Sequence, residues 1–348
     1  MNEMEKAHIL HKLKEGFNVS NEIFDTLLMQ INDEKYRDNF LRITKGLTVE
    51  DNYKLIIEAL PWVKNVNGLE QNQTKEHKKN YQVPDYGLLV ENSDKKNFPI
   101  LVDVKSVKEK NICSLIPKQI NALKNYSRDY NQELLIAIYW EKFGIWTHNV
   151  LKNFSGKKKN KITFEDALKN DLSHILSDYI FFIDKVFYRK TKFIKDGKSK
   201  FYNHPVYGKF DEVYIGTDLN NLKKYEIMES SILDSMFIMK EIELIEEGNI
   251  VYQTEIFEGN FIVKLTTWLI NFINLWKLKY HTKAYDDMSA LKMARIFIVN
   301  LMHKLGIQNI YLIPEDKNDS TLKIFELAYK DTYVMNNYLY GLDNITFE

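Results

Sequence analysis

Two aspartates and a lysine carry the chemistry this chain offers. They lie in VPDYGLLVENSDKKNFPILVDVKS, residues 83–106. Asp85 precedes one short apolar run, and Asp103 and Lys105 close the next. Residues two apart on a strand project from the same face, so Asp103 and Lys105 share one. A hairpin would set Asp85 beside them across the ladder. Two close carboxylates repel, and apolar surroundings sharpen the repulsion. Lys105 compensates one charge; a divalent cation would compensate the rest. Hard oxygen ligands of this kind suit Mg²⁺ or Mn²⁺, and the backbone carbonyl of Val104 is a further available oxygen. Lys105 is then placed to handle the attacking water. Such a set fits in-line hydrolysis of a phosphodiester, where charge builds on the phosphorus oxygens.

The elements that must hold these residues follow from periodicity. GLLV (87–90) and PILVDVKS (99–106) are rich in β-formers and separated by the turn-like NSDKKN, which predicts an antiparallel hairpin. Residues 115–128 read as a helix. ELLIAIYW (133–140) is continuously apolar, the mark of a strand buried on both faces. Residues 142–150 pair with it through a turn near Gly144. Thr163 opens a further helix over 164–178, with Asp166 at its capping-box position. Upstream, residues 1–47 look helical, with Ser20 capping a helix that carries Ile23, Leu27, Leu28 and Ile31. Thr48 precedes another helix, with Asp51 at its box position and an apolar stripe of Tyr53, Ile56, Ile57 and Leu60; Pro61 helps to stop it. WVKNV (62–66) suggests a short strand and residues 70–82 a polar loop. The order predicts an α/β layer fold, a mixed central sheet flanked by helices. Beyond it the chain reads as α+β, with a helix over 286–305 and a strand over 308–313. The expected division is a helical extension at 1–47, a catalytic domain at 48–184 and a second domain at 185–348.

Pro84-Asp85, seventeen intervening residues, then Asp103-Val104-Lys105 resembles the PD-(D/E)xK nuclease superfamily, which includes restriction endonucleases, junction resolvases, and repair and defence nucleases. The resemblance covers about residues 48–178. It implies a restriction-endonuclease-like core and metal-dependent cleavage of DNA, with Asp85, Asp103 and the Val104 carbonyl on the metal and Lys105 at the nucleophilic water. Members often add a glutamate on the first helix and a glutamine on the helix after the motif. Gln119 matches the second, with Tyr126 seven residues later. For the first, Glu50 projects near the apolar stripe; Glu58 is the alternative and Glu70 the third choice. Each has a plainer alternative: Gln119 can be a solvated helix residue, and Glu50 can merely favour a helix N-terminus. The resemblance also implies a restriction, defence or mobile-element role, with other subunits of such a system as partners. A homodimer is the simple way to reach both strands.

Composition limits the remaining choices. The 348 residues are 45% hydrophobic and 28% charged, enough for a sizeable core. That length makes two domains the prior expectation. The one cysteine, Cys113, excludes an internal disulfide and a Cys-rich zinc site, and favours a reducing, cytoplasmic setting. The start MNEMEKAHIL is charged, so no signal peptide is expected, and no stretch suits a bilayer. The eight histidines form no zinc pattern; His77, in the loop before the motif, could approach a metal. No P-loop or GxGxxG is present. Trp268, Phe272, Trp276 and Tyr280 suit a core or dimer interface better than a base-stacking platform. The 48 basic and 48 acidic residues cancel, so the chain is not a globally basic nucleic-acid binder. Two local basic runs remain. Lys157, Lys158, Lys159 and Lys161, with Arg189, Lys190 and Lys192, form either solvated faces or a phosphate track. Two readings compete with a DNA endonuclease: one directed at RNA or activated by partners, and a silent nucleic-acid-binding module.

Overall fold

The computed structural model describes residues 3–16, 19–71, 73–74, 76–156, 159–197, 203–237, 239–258, 261–279, 287–307, 309–310 and 314–328. Three helices open the chain: α1 (Glu3–Gly16), α2 (Asn21–Leu28) and α3 (Glu34–Asp38). Ser20 caps α2 by accepting from the Ile23 N–H at 3.4 Å. The apolar stripe expected there is only partly used: Ile31 is buried with Ala7, Leu10 and Phe40, whereas Ile23 and Leu27 face solvent. Helix α4 (Phe40–Glu58) then runs unbroken through Thr48. The boundary expected at 47/48 thus falls inside a helix. Its stripe is as the period demands, with Tyr53, Ile56, Ile57 and Leu60 all buried.

The stripe packs on a five-stranded sheet. After β1 (Val63–Gly68) come a short helix α5 (His77–Asn80), within the segment expected as loop, and the hairpin β2 (Tyr86–Glu91) and β3 (Asn97–Val107). Then follow β4 (Ile112–Leu115), α6 (Pro117–Asp129), β5 (Glu133–Trp140) and β6 (Ile145–Asn149). The sheet order is β1-β2-β3-β5-β6. Only β3 and β5 run parallel; the other neighbours are antiparallel. A parallel pair needs a crossover, and α6 supplies it. Val102, Val104 and Ala137 pack in the cluster that holds the α4 stripe. Leu101, Ile136 and Ile138 pack in the one that holds Ile120 and Leu123 of α6. Both faces are therefore covered, which is why ELLIAIYW is apolar throughout.

Strand β7 (Asn160–Thr163) pairs with β4, and Thr163 caps α7 (Phe164–Lys169). The helix expected over 164–178 stops there. Asp171 instead accepts from the His148 N–H at 2.7 Å and the Ser173 N–H at 3.1 Å, local bonds that compete with a helix.

The rest is built on β8 (Ile180–Ile183), β9 (Phe187–Ile194), β10 (Asn203–His204), β11 (Gly208–Gly216) and β12 (Lys223–Tyr225). Helix α8 (Ile227–Met236), β13 (Met239–Glu247), β14 (Ile250–Phe257), β15 (Phe261–Lys264), α9 (Leu265–Lys279) and α10 (Asp287–Lys304) follow. Strand β16 (Asn309–Ile310) and α11 (Asp319–Ala328) end the described chain. A second sheet is ordered β10-β11-β9-β14-β13, with β12 beside β11, and a third β15-β8-β16. The division expected near 185 lies between β8 and β9, and β8 pairs with strands from beyond it. One apolar cluster runs from Val49 to Ala328 and takes in Trp268, which stacks on Phe181 at 5.3 Å. Tyr280 and residues 308 and 311–313 lie outside the described residues. The molecule is a mixed α/β protein with several sheets and, among the described residues, eleven helices. Among those residues no helix is long and apolar enough to cross a membrane.

Candidate active site

The hairpin register does the first part of the positioning. Tyr86 pairs with Val102, so one step further Asp85 comes opposite Asp103. Asp85 Oδ2 accepts from the Val104 N–H at 2.7 Å, which fastens the carboxylate to the partner strand. Lys105 forms an ion pair with Asp103 and donates to the Val104 carbonyl at 2.9 Å. Asp103 is buried; its Oδ1 accepts from Gln82 Nε2 at 3.2 Å, and its Oδ2 faces the Lys105 ammonium. The third carboxylate, Glu50, comes from α4. Tyr86 donates its hydroxyl to the Glu50 carbonyl at 3.0 Å and so ties that turn to the start of β2.

Three carboxylates thus share one ammonium. Burial, then the neighbouring Asp85, pushes the Glu50 carboxyl up to about 8, with Asp103 adding to it and Lys105 opposing. Burial, then Asp103, pushes Asp85 up to about 7. Burial works against the charge of Lys105, but Asp103, Asp85 and Glu50 outweigh it and hold the ammonium protonated well above the ordinary lysine range. A site with three carboxylates around one ammonium suits a hard cation. The donors present, Asp85, Asp103, Glu50 and the Val104 carbonyl, are of the right kind for Mg²⁺ or Mn²⁺. Among the described residues no group of three Asp, Glu, His or Cys side chains is itself arranged to hold a metal ion.

The remaining candidates divide. Glu58 lies eight residues beyond Glu50 on α4, about 12 Å along the axis, and Glu70 is exposed after β1. Gln119 turns back to its own helix, accepting from the Ile116 N–H at 3.2 Å; Ile116 cannot cap, so the glutamine does. Tyr126 stacks on Tyr130 at 4.3 Å. His77 is exposed on α5. Lys159 and Lys161 are exposed at β7, where Lys161 pairs with Ser114. Cys113, the neighbour of Ser114, lies within electrostatic reach of Lys105 and Asp103; burial is the main cause that pushes its thiol up to about 11. Lys157 and Lys158 lie outside the described residues.

The cluster expected on β9 needs correction. Arg189 is buried, bound through two nitrogens to Glu255, with Nη2 at 2.8 Å from Oε1 and Nη1 donating to the Ser230 carbonyl at 3.0 Å. Lys192 is paired with Asp211 at 2.9 Å and Glu212 at 3.5 Å. Lys190 lies over the Tyr252 ring at 4.6 Å. These cations are neutralised or packed by the strands on either side of β9, which a linear reading of charge does not see. Conversely, Gln82 and Tyr86 touch the site and carried no signal beyond adjacency to the motif.

Beneath the site lies a buried polar network. Lys264 donates to Asp171 at 2.5 Å, Ser173 at 2.7 Å and the Trp146 carbonyl at 2.5 Å, using all three of its protons. Ser173 donates to Asp171 at 2.7 Å, so at 2.6 Å it accepts from His148 Nδ1. His148 Nε2 is then the acceptor for the Tyr53 hydroxyl at 3.0 Å. Burial drives the His148 imidazole down to about 3, which keeps it neutral in this role. Tyr53 stands one turn from Glu50, so the network fixes α4 where the site needs it.

No protein-family model matches the chain, and no curated protein matches it. Among solved structures it is similar to Hjc, a Holliday junction resolvase from the archaeal hyperthermophile Archaeoglobus fulgidus. The identity is 12%, the match covers 38% of this chain and 96% of that one, and the TM-score is 0.29. A superposition that loose carries no argument about function.

Proposed function

We propose that the chain is a metal-dependent endonuclease that hydrolyses DNA phosphodiester bonds, built on a restriction-endonuclease-like core. The observation that carries the reading is the meeting of Glu50, Asp85 and Asp103 around Lys105, with two of the acids held up to about 8 and 7 by burial and by one another. Structural carboxylates of a stable core are normally paired one to one; three around one ammonium leave charge for a ligand to neutralise. Asp85, Asp103 and the Val104 carbonyl would hold Mg²⁺ or Mn²⁺, with Glu50 assisting. The ion would stabilise the charge that builds on the phosphoryl oxygens. Lys105 would orient the attacking water, released from the Val104 carbonyl and Asp103 as the cation takes its place. Gln82 would keep the Asp103 carboxylate aimed, and Tyr86 would keep Glu50 beside it. Lys159 and Lys161, exposed beside and on β7, are suited to hold backbone phosphates. The family resemblance supports a restriction, defence or mobile-element role and a homodimer.

Calorimetric titration with Mn²⁺ tests the metal half of the reading. Saturable binding that is lost in Asp85→Asn, with circular dichroism unchanged, is the expected result. Binding that survives in both Asp85→Asn and Asp103→Asn, or none in the wild type, would contradict it and favour a silent module.

A further inference from the structure

A nucleic-acid reading needs cations that are free to meet phosphates. On and after β9, Arg189, Lys192 and Lys195 are held by Glu255, Asp211 with Glu212, and Glu246. A different segment offers two exposed lysines. Residues 76–82, EHKKNYQ, carry one acid, Glu76, against Lys78 and Lys79. Both lysines are exposed, and among the described residues neither has an ion pair.

This arm is anchored rather than loose. The Asn80 carbonyl accepts from Asn125 Nδ2 at 3.0 Å, and the Tyr81 hydroxyl donates to Asp129 at 2.6 Å. The Gln82 N–H donates to the Ala122 carbonyl at 3.3 Å. All three bonds are to α6. Its last residue reaches the site, where Gln82 Nε2 donates to Asp103 Oδ1 at 3.2 Å. Lys79 is three residues before Gln82, at most about 10 Å of extended chain. Phosphates along one strand are about 3.4 Å apart in rise, so Lys79 stands within about three nucleotides of Gln82.

We propose that the arm His77–Gln82 is a phosphate-binding element, in which Lys78 and Lys79 pair with the nucleic-acid backbone a few nucleotides from the scissile bond. The assignment rests on the DNA endonuclease reading given above. It extends that reading by placing the main electrostatic grip before the motif.

Binding of the full chain to a fluorescent DNA duplex, measured by anisotropy in EDTA across a series of NaCl concentrations, tests it. The variants are Lys78→Ala/Lys79→Ala and, for comparison, Lys190→Ala/Lys192→Ala. Each lost phosphate contact lowers the slope of log affinity against log salt by about 1. The first variant should therefore bind more weakly with a slope shallower by about 2, and the second should keep the wild-type slope. An unchanged slope in Lys78→Ala/Lys79→Ala overturns the assignment while leaving the endonuclease reading standing. A wild-type chain that binds no duplex overturns both.

Discussion

Glu50, Asp85 and Asp103 meet around a single ammonium, and the consequence is measurable without any substrate. Glu50 and Asp85 have folded-state values raised to about 8 and 7. A raised carboxyl binds its proton in the folded chain where the unfolded chain has released it. Its contribution to stability is therefore complete below the unfolded value and is lost as pH rises through the folded one. The buried histidines titrate elsewhere: His148 and His174 are pushed down to about 3 and 4, chiefly by burial, so their linkage lies below the ordinary histidine range. Thermal melts in EDTA should show the midpoint falling between about pH 6.5 and pH 8, above the range in which the histidines titrate, and falling less in Glu50→Gln. A wild-type midpoint flat across that window would mean that the acids are not crowded. At this scale the sequence was legible where spacing met a hairpin. Asp85, Asp103 and Lys105 converge because period-two alternation and register leave them no other arrangement. Glu50 followed from its place near the α4 stripe. Gln82 was not legible, because a residue in a polar segment has no periodicity to betray which way it turns.

Elements join where side chains of distant segments meet, and the buried network around Lys264 is the clearest such join. Lys264 ends β15, yet its ammonium satisfies Asp171, Ser173 and the Trp146 carbonyl of β6, with Asp178 at 3.5 Å. Removing the cation leaves a buried carboxylate uncompensated, which costs about 3–5 kcal/mol. Lys264→Met should lose stability of that size in urea denaturation; a loss under about 1 kcal/mol would show that the network is not a keystone. The same network explains the shortened α7. Capping signals at Thr163 predicted where that helix starts, but its end is set by Asp171 bonding to His148, a long-range event with no local signature. Thr48 taught the converse lesson: a capping pattern inside a helix-forming stretch does not divide it, and α4 runs on from Phe40 to Glu58.

The whole molecule is neutral, and part of its basic run is paired within the fold. Arg189, the strongest cation of the basic run, is bound to Glu255 inside the second sheet. Charge runs were legible in the sequence, but their partners on neighbouring strands were not. The apolar cluster joining α4 to α9, α10 and α11 shows in the same way why a division of the chain by composition alone is coarse: the segments on either side of residue 185 complete each other's core. On this account the second half of the chain holds α4, and through it Glu50, against the hairpin. The central claim is that the assembled site cuts DNA. Plasmid cleavage by the purified full chain, with Mg²⁺ or Mn²⁺, an EDTA control and Asp103→Ala, tests it most directly. Metal-dependent cutting that EDTA and Asp103→Ala abolish is the expected result. Cutting that persists in a folded Asp103→Ala variant, or that ignores EDTA, would contradict it.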